Sequence, residues 1–372
     1  MIRLSKSSIS SREEKYVQEV LSKEFLGMGE EVVKFEKSLK NFFGREVVCV
    51  SSGTAALHLA LEACNIGKGD EVLVPSLTYV ASFQAISATG AIPISCDVED
   101  KFMQIDLLDA KKKINDSTKA IMPVHYSGGS SNLSEVYNLA SLNNLRVIED
   151  AAHAFGSKYN SKLIGSFGDI SCFSFDGIKN ITSGEGGCIV SGDKSIISFA
   201  KDARLLGVEN DSDKRSVNDR SFKFDVKIQG WRYHMSNIMA AIGLAQLERF
   251  SEFKKNRQEL AKYYTQSINK LSNKLYCINW DYNEVVPHIF PIRIKVPFNR
   301  NKLMSDLLDL GIQVGIHYQP NHLLSKYSNN QNPLPITDEI HNQMITLPLH
   351  NDLTKKDVDF ILTSLNSLLI ES

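Results

Sequence analysis

Seven short apolar stretches constrain this chain more than anything else in it. They are VVCV at 47–50, EVLV at 71–74, IPIS at 92–95, KAIMPV at 119–124, LRVIE at 145–149, DISCFSF at 169–175 and GCIVS at 187–191. Most are continuous rather than alternating, which suits strands covered on both faces. Segments with helical spacing lie between and after them, at 54–64, 79–89, 105–113, 133–143 and 194–206. Strands alternating with helices predict an α/β domain with a mostly parallel, seven-stranded sheet. Ligands of such sheets gather beyond the carboxyl ends of the strands. Two further helical patterns, 11–23 and 29–43, come first and are joined by the small turn Phe25 to Gly29.

Beyond the last of these strands, 208–222 is polar and aperiodic and reads as a mobile surface loop. Gly230 to Ser236 then leads into a helix over about 236–270, whose apolar, small-residue start suits burial, including at a subunit interface. From about 275 the texture changes. Segment 286–296 alternates like a half-buried strand, 301–310 reads as a helix and 312–316 as strand-like. A last helix, 354–369, opens on a capping box of Thr354 and Asp357. The reading is therefore a large α/β domain over 1–250 and a smaller α+β domain over 251–372.

Length and charge narrow the function. A chain of 372 residues can bury a substantial core. A net charge of −1 offers no basic field for nucleic acid. No apolar run approaches the roughly 20 residues of a membrane span, and the N-terminus lacks a signal-peptide core. The six cysteines contain no CxxC pair and read as buried thiols of a cytoplasmic protein. His317, His322, His341 and His350 have no zinc spacing, so no metal is expected. There is no GxGxxG after a strand, no GxxxxGK[ST] and no GxSxG.

The chemistry points instead to Lys179. The apolar run Ile170 to Phe175 breaks at Asp176-Gly177, and this lysine follows, ahead of a loop of small residues from Thr182 to Gly187. A lysine just past a buried strand is poorly solvated, which favours the neutral, nucleophilic amine. Asp150 likewise ends a strand, so the two can meet at one sheet edge. Ser52-Gly53-Thr54 opens a helix, which fits both a phosphate seat and an ordinary N-cap. Tyr79 follows a strand end, placed to stack on a planar ring or to be half-buried. A pyridoxal 5′-phosphate (PLP) site needs all four: a Schiff-base lysine, a carboxylate for the pyridine nitrogen, a ring cover and a phosphate seat.

The motifs SSGTAALHLAL, GDEVLVPSLTYVAS, VIEDAAHAFGS, GDISCFSFDGIKNITSGEGG and HMSNIMAAIGLAQL carry a resemblance to the DegT/DnrJ sugar-nucleotide aminotransferases. It runs from Phe35-Glu36 to Leu347-Pro348. It implies the type I PLP-enzyme fold and a dimer with shared active sites. Lys179 would carry the cofactor and move the proton. Asp150 would pair with the pyridinium nitrogen, His153 would lie near the cofactor's 3′-oxygen and Tyr79 would stack on the ring. Gly53, Thr54 and Ser174 would hold the phosphate.

Two departures matter. Arg232 stands where the family commonly has Asn, and is expected to reach the partner subunit's cofactor phosphate. Asp176 stands where many members have His or Asn, near the approach of the substrate. Leu26, Gly27, Asp176, His317 and Tyr318 are further candidate substrate contacts. The resemblance implies transfer of the amine of L-glutamate to C4 of dTDP-4-keto-6-deoxy-D-glucose, for O-antigen or other surface polysaccharide. C3 amination of a 3-keto isomer and a GDP- or UDP-linked 4-keto sugar are the alternatives. A lysine at 179, rather than the His of the dehydrating branch, argues for transamination. A non-catalytic PLP-binding regulator is the reading from another class.

Overall fold

The computed structural model describes residues 1–209, 224–271, 274–328 and 333–371. The polar segment read at 208–222 lies outside the described residues from 210 on.

Helices α1 (Ser11–Ser22) and α2 (Glu30–Phe43) precede a doubly covered sheet. Its strands are β1 (Glu46–Val50), β2 (Glu71–Pro75), β3 (Ile92–Cys96), β4 (Thr118–Ile121), β5 (Arg146–Asp150), β8 (Ile170–Ser174) and β9 (Gly187–Ser191). A small ribbon of β6 (Lys158–Tyr159) and β7 (Lys162–Leu163) lies between β5 and β8. The order across the seven-stranded sheet is β1-β9-β8-β5-β4-β2-β3. Five strands, from β3 to β8, pair in parallel, and β9 runs against both of its neighbours.

Each face of the sheet is buried, which is why the strands read as apolar runs rather than alternating ones. Val48, Val50, Ile170 and Cys172 face α3 (Gly53–Ala63), α4 (Val80–Ala88) and α7 (Lys194–Ala203). Val47, Cys49, Phe173 and Phe175 face α2 and the start of α8 (Asn237–Leu271). On the β3 side, Leu73, Ile121 and Val147 pack on α5 (Leu107–Lys113) and α6 (Leu133–Leu142). All six cysteines are free, and all but Cys64 are buried.

Residue 250, the boundary expected between domains, lies inside α8. Phe250 and Phe253 belong to the core under the large sheet, whereas Leu260, Tyr264 and Ile268 belong to a second core. That second core covers an antiparallel sheet of β10 (Leu275–Cys277), β11 (Phe290–Ile294) and β12 (Met344–Leu347). The helices there are α9 (Arg300–Asp309), α10 (Pro335–Gln343) and α11 (Lys355–Glu371). The half-buried strand expected at 286–296 is instead buried throughout β11. Its polar residue is not solvated: Arg293 is bonded to Asp100, Glu339 and Gln343. The strand expected at 312–316 makes only isolated bridges, Ile2 to Ile312 and Gly315 to Thr346.

Candidate active site

The carboxyl ends of β1, β2, β5 and β8 open on a single cavity of about 410 Å³. Ten of the predicted site residues line it: Gly53, Thr54, Tyr79, Asp150, His153, Ser174, Asp176, Lys179, His317 and Tyr318. Leu26, Gly27 and Arg232 do not line it within the protomer. The carbonyls of Leu26 and Gly27 accept from the backbone N–H of Asn237 at the start of α8. Arg232 is exposed, its backbone bridged to Leu205.

Lys179 enters on the turn after β8, where its N–H donates to the carbonyl of Asp176 at 3.0 Å. Loss of water around its amine lowers its pKa to about 8, against the opposing pull of Asp150 and Asp176. A buried amine of this kind is neutral often enough near neutral pH to act as a nucleophile.

Asp150 ends β5 and is 6% exposed. The Ser82 hydroxyl donates to its Oδ2 at 2.7 Å, and the Ala152 N–H donates to its Oδ1 at 3.2 Å. These bonds set the direction of a carboxylate in the cavity wall. Sequence reasoning missed Ser82, although it lies one turn after Tyr79 in the same TYVAS stretch; only the placing of α4 over β2 and β3 brings its hydroxyl to Asp150.

The helix α3 begins at the cavity wall. Ser52 caps it, its hydroxyl accepting from Ala55 N–H at 3.1 Å. The first N–H groups of a helix have no intrahelical acceptor, so those of Gly53 and Thr54 are available to an anion, at the positive end of the helix dipole. The cradle is tight: a Cβ at Gly53 would lie 2.8 Å from the Ser174 Cβ, and one at Gly187 2.6 Å from the Ser52 carbonyl oxygen. The same Ser-Gly-Thr start is thus a capped helix whose first N–H groups lie where an anion could be held.

Aromatic rings also line the cavity. The Tyr79 and Tyr318 rings lie 5.5 Å apart, and Tyr79 is exposed at the mouth. His153 Nε2 lies 2.9 Å from the Tyr318 hydroxyl. Burial holds His153 neutral, reinforced by the charge of Lys179. Burial and then Lys179 push His317 down to about 4. Glu185 also lines the mouth, with its carboxyl pushed up by burial and by Asp176; nothing in the run of small residues around it marked it. A planar pyridine with a phosphate arm and an aldehyde fits this donor set: anion seat, carboxylate, ring cover and amine. Among the described residues no group of three or more His, Cys, Asp or Glu could hold a metal ion, and no helix is long and apolar enough to cross a membrane.

Comparison with known proteins supplies the family. The model of the DegT/DnrJ/EryC1/StrS aminotransferase family matches residues 7–366. The GDP-perosamine synthase of Escherichia coli O157:H7 is 38% identical over 363 residues, covering 96% of each chain. The GDP-perosamine synthase of Caulobacter vibrioides is 34% identical over 384 residues, covering 99% of this chain and 98% of its own. The crystal structure of the aminotransferase TlmJ from Streptoalloteichus hindustanus superposes with a TM-score of 0.91 at 28% identity, covering 100% of this chain and 99% of that one.

Proposed function

The chain belongs to the DegT/DnrJ/EryC1/StrS aminotransferase family and is a PLP-dependent sugar aminotransferase, and on that premise we propose that it moves the amine of L-glutamate to C4 of a GDP-linked 4-keto-6-deoxyhexose. The sequence alone pointed first to a dTDP-linked acceptor, with GDP among the alternatives. The names of two curated relatives, both GDP-perosamine synthases, favour GDP. An aminated hexose of this kind suits a surface polysaccharide, and a homodimer would bring Arg232 and the turn at Leu26 and Gly27 toward a neighbouring site.

When bound, the cofactor supplies an aldehyde that takes up the amine and a ring that accepts the electrons released at the reacting carbon. The protein's part follows from its own groups. The helix start at Gly53 and Thr54, with Ser174, would hold the phosphate. Asp150, aimed by Ser82, would keep the pyridine nitrogen protonated. Tyr79 would cover one face of the ring, and His153 would meet its oxygen. Lys179 Nζ would take and return the proton that moves during transfer. Asp176, His317 and Tyr318 line the way in for the sugar.

The observation that carries this reading is the buried amine of Lys179 sharing one cavity with a carboxylate held by Ser82. The test is to give the PLP-loaded protein L-glutamate with a GDP-linked or a dTDP-linked 4-keto-6-deoxyhexose and to identify the product by NMR. A C4 amine on the GDP sugar is expected. Amination of the dTDP sugar alone would return the reading to dTDP, and failure to form 2-oxoglutarate with either would remove glutamate as donor.

A further inference from the structure

Lys179 has a neighbour that does not line the main cavity. His288, just before β11, brings its Nε2 to 3.4 Å from Lys179 Nζ. It approaches from behind, lining a small void with Leu4, Ile178, His317 and Leu349. Its ring is buried and stands 4.5 Å from that of His153.

The backbone of His288 is held on both sides. Its N–H donates to the Ser127 carbonyl at 3.4 Å. Its carbonyl accepts from Arg257 Nη1 at 3.2 Å, and the same nitrogen donates to the carbonyls of Pro287 and Leu349. Arg257, on α8, is 2% exposed. Among the described residues no carboxylate pairs with it, so its charge acts on its surroundings.

Four basic groups face the His288 ring: Lys179, His153, Arg257 and His317. Burial first, and then these groups, keep the imidazole neutral. The carboxylates nearby, Asp150 and Asp176, face Lys179 instead. A neutral imidazole carries one N–H. Nδ1 of His288 has no hydrogen-bond partner among the described residues, so a proton there would be a buried orphan donor. On Nε2 the proton meets the lone pair of the Lys179 amine.

We propose that His288 is a positioning residue for Lys179: its Nε2–H donates to the free amine and aims it into the cavity, ready to take up the cofactor and to move the proton. The proposal rests on Lys179 as the amine that carries the cofactor, and not on the identity of the sugar. A hydrogen bond to the neutral amine favours that form. Arg257 acts one step further away, by fixing the backbone that presents the ring.

The test compares wild type with His288→Phe, which keeps the ring and loses the donor, and His288→Gln, which keeps a donor. In the apoprotein, competitive acetylation against pH, read by mass spectrometry on the peptide containing Lys179, gives the titration of its amine. In the PLP-loaded protein, single-turnover formation of 2-oxoglutarate from glutamate gives the first half-reaction without any sugar. In H288F the titration midpoint is expected to rise, and the half-reaction to slow about 100-fold at saturating glutamate, the cost of misplacing a reacting group by about 1 Å. KM for glutamate stays nearly unchanged, and H288Q lies close to wild type in both measurements. An unchanged midpoint and rate in H288F, or an H288Q as impaired as H288F, would overturn the role. Should H288F not fold, nitrogen NMR of the wild-type apoprotein decides: Nε2 protonated supports the role, and Nδ1 protonated throughout ends it. Borohydride reduction of the wild type separates the premises, because cofactor missing from the Lys179 peptide would count against that lysine and not against His288.

Discussion

His153 and Tyr318 meet across the cavity, Nε2 to hydroxyl at 2.9 Å, and so join the end of β5 to the loop that precedes residue 321. Burial pushes the imidazole down and the phenol up. Neither group changes charge near neutral pH, so the link holds across that range. A second bond ties the same loop to the core, from the Tyr126 hydroxyl to the His317 carbonyl.

Removing the phenol should therefore be felt in the fold. Tyr318→Phe leaves a buried imidazole nitrogen without its partner, which costs about 1–3 kcal/mol. Urea unfolding of the apoprotein measures this, with the midpoint expected to fall and the slope to stay the same.

Lys179 predicts a pH dependence of stability. Its folded-state pKa, about 8, lies below its usual 10.5. The unfolded chain binds the proton more tightly, so stability rises with pH between these values and the burial penalty is fully present below 8. Lys179→Met removes the penalty. In the apoprotein K179M should be more stable than wild type at pH 7, and the difference should shrink as pH climbs through that window. Chemical denaturation at several pH values checks the sign.

Gly53 has no room for a side chain, because its Cβ would lie 2.8 Å from that of Ser174. Gly53→Ala should push the helix start off β8. Overpacking of this kind costs about 1–3 kcal/mol, and the displaced N–H groups would no longer meet a phosphate. A weaker PLP Kd by fluorescence titration, together with a lower Tm, is expected.

Arg232 is exposed in the protomer and makes no contact with its own cavity. If it serves a neighbouring subunit's phosphate, Arg232→Ala should weaken PLP binding and leave the Tm of the apoprotein unchanged. A PLP Kd equal to wild type would end that role.

Much of the site was legible because its parts sit at strand ends. Asp150 and Lys179 follow or close apolar runs, and one sheet carries them to one edge, while Ser174 came only from the family resemblance. Tyr79 was visible for the same reason, and Gly53 because it opens a helix. The second unit was harder. β12 follows α10 with no turn signal between them, and β10 has only three residues. The alternation at 286–296 misled because the charge of Arg293 is paired inside the protein, not solvated.

Local pattern determined the order of strands and helices, the lysine and the strand-end carboxylate, because burial on both faces and helix-start chemistry act over a few residues. Tertiary structure alone decided which distant groups serve them. Ser82 reaches Asp150, Tyr318 reaches His153 and His288 reaches Lys179 across separations of 68, 165 and 109 residues. Contacts of that span leave no periodic trace in a chain, since the first depends on how a helix lies over the large sheet and the other two on how the second unit meets it.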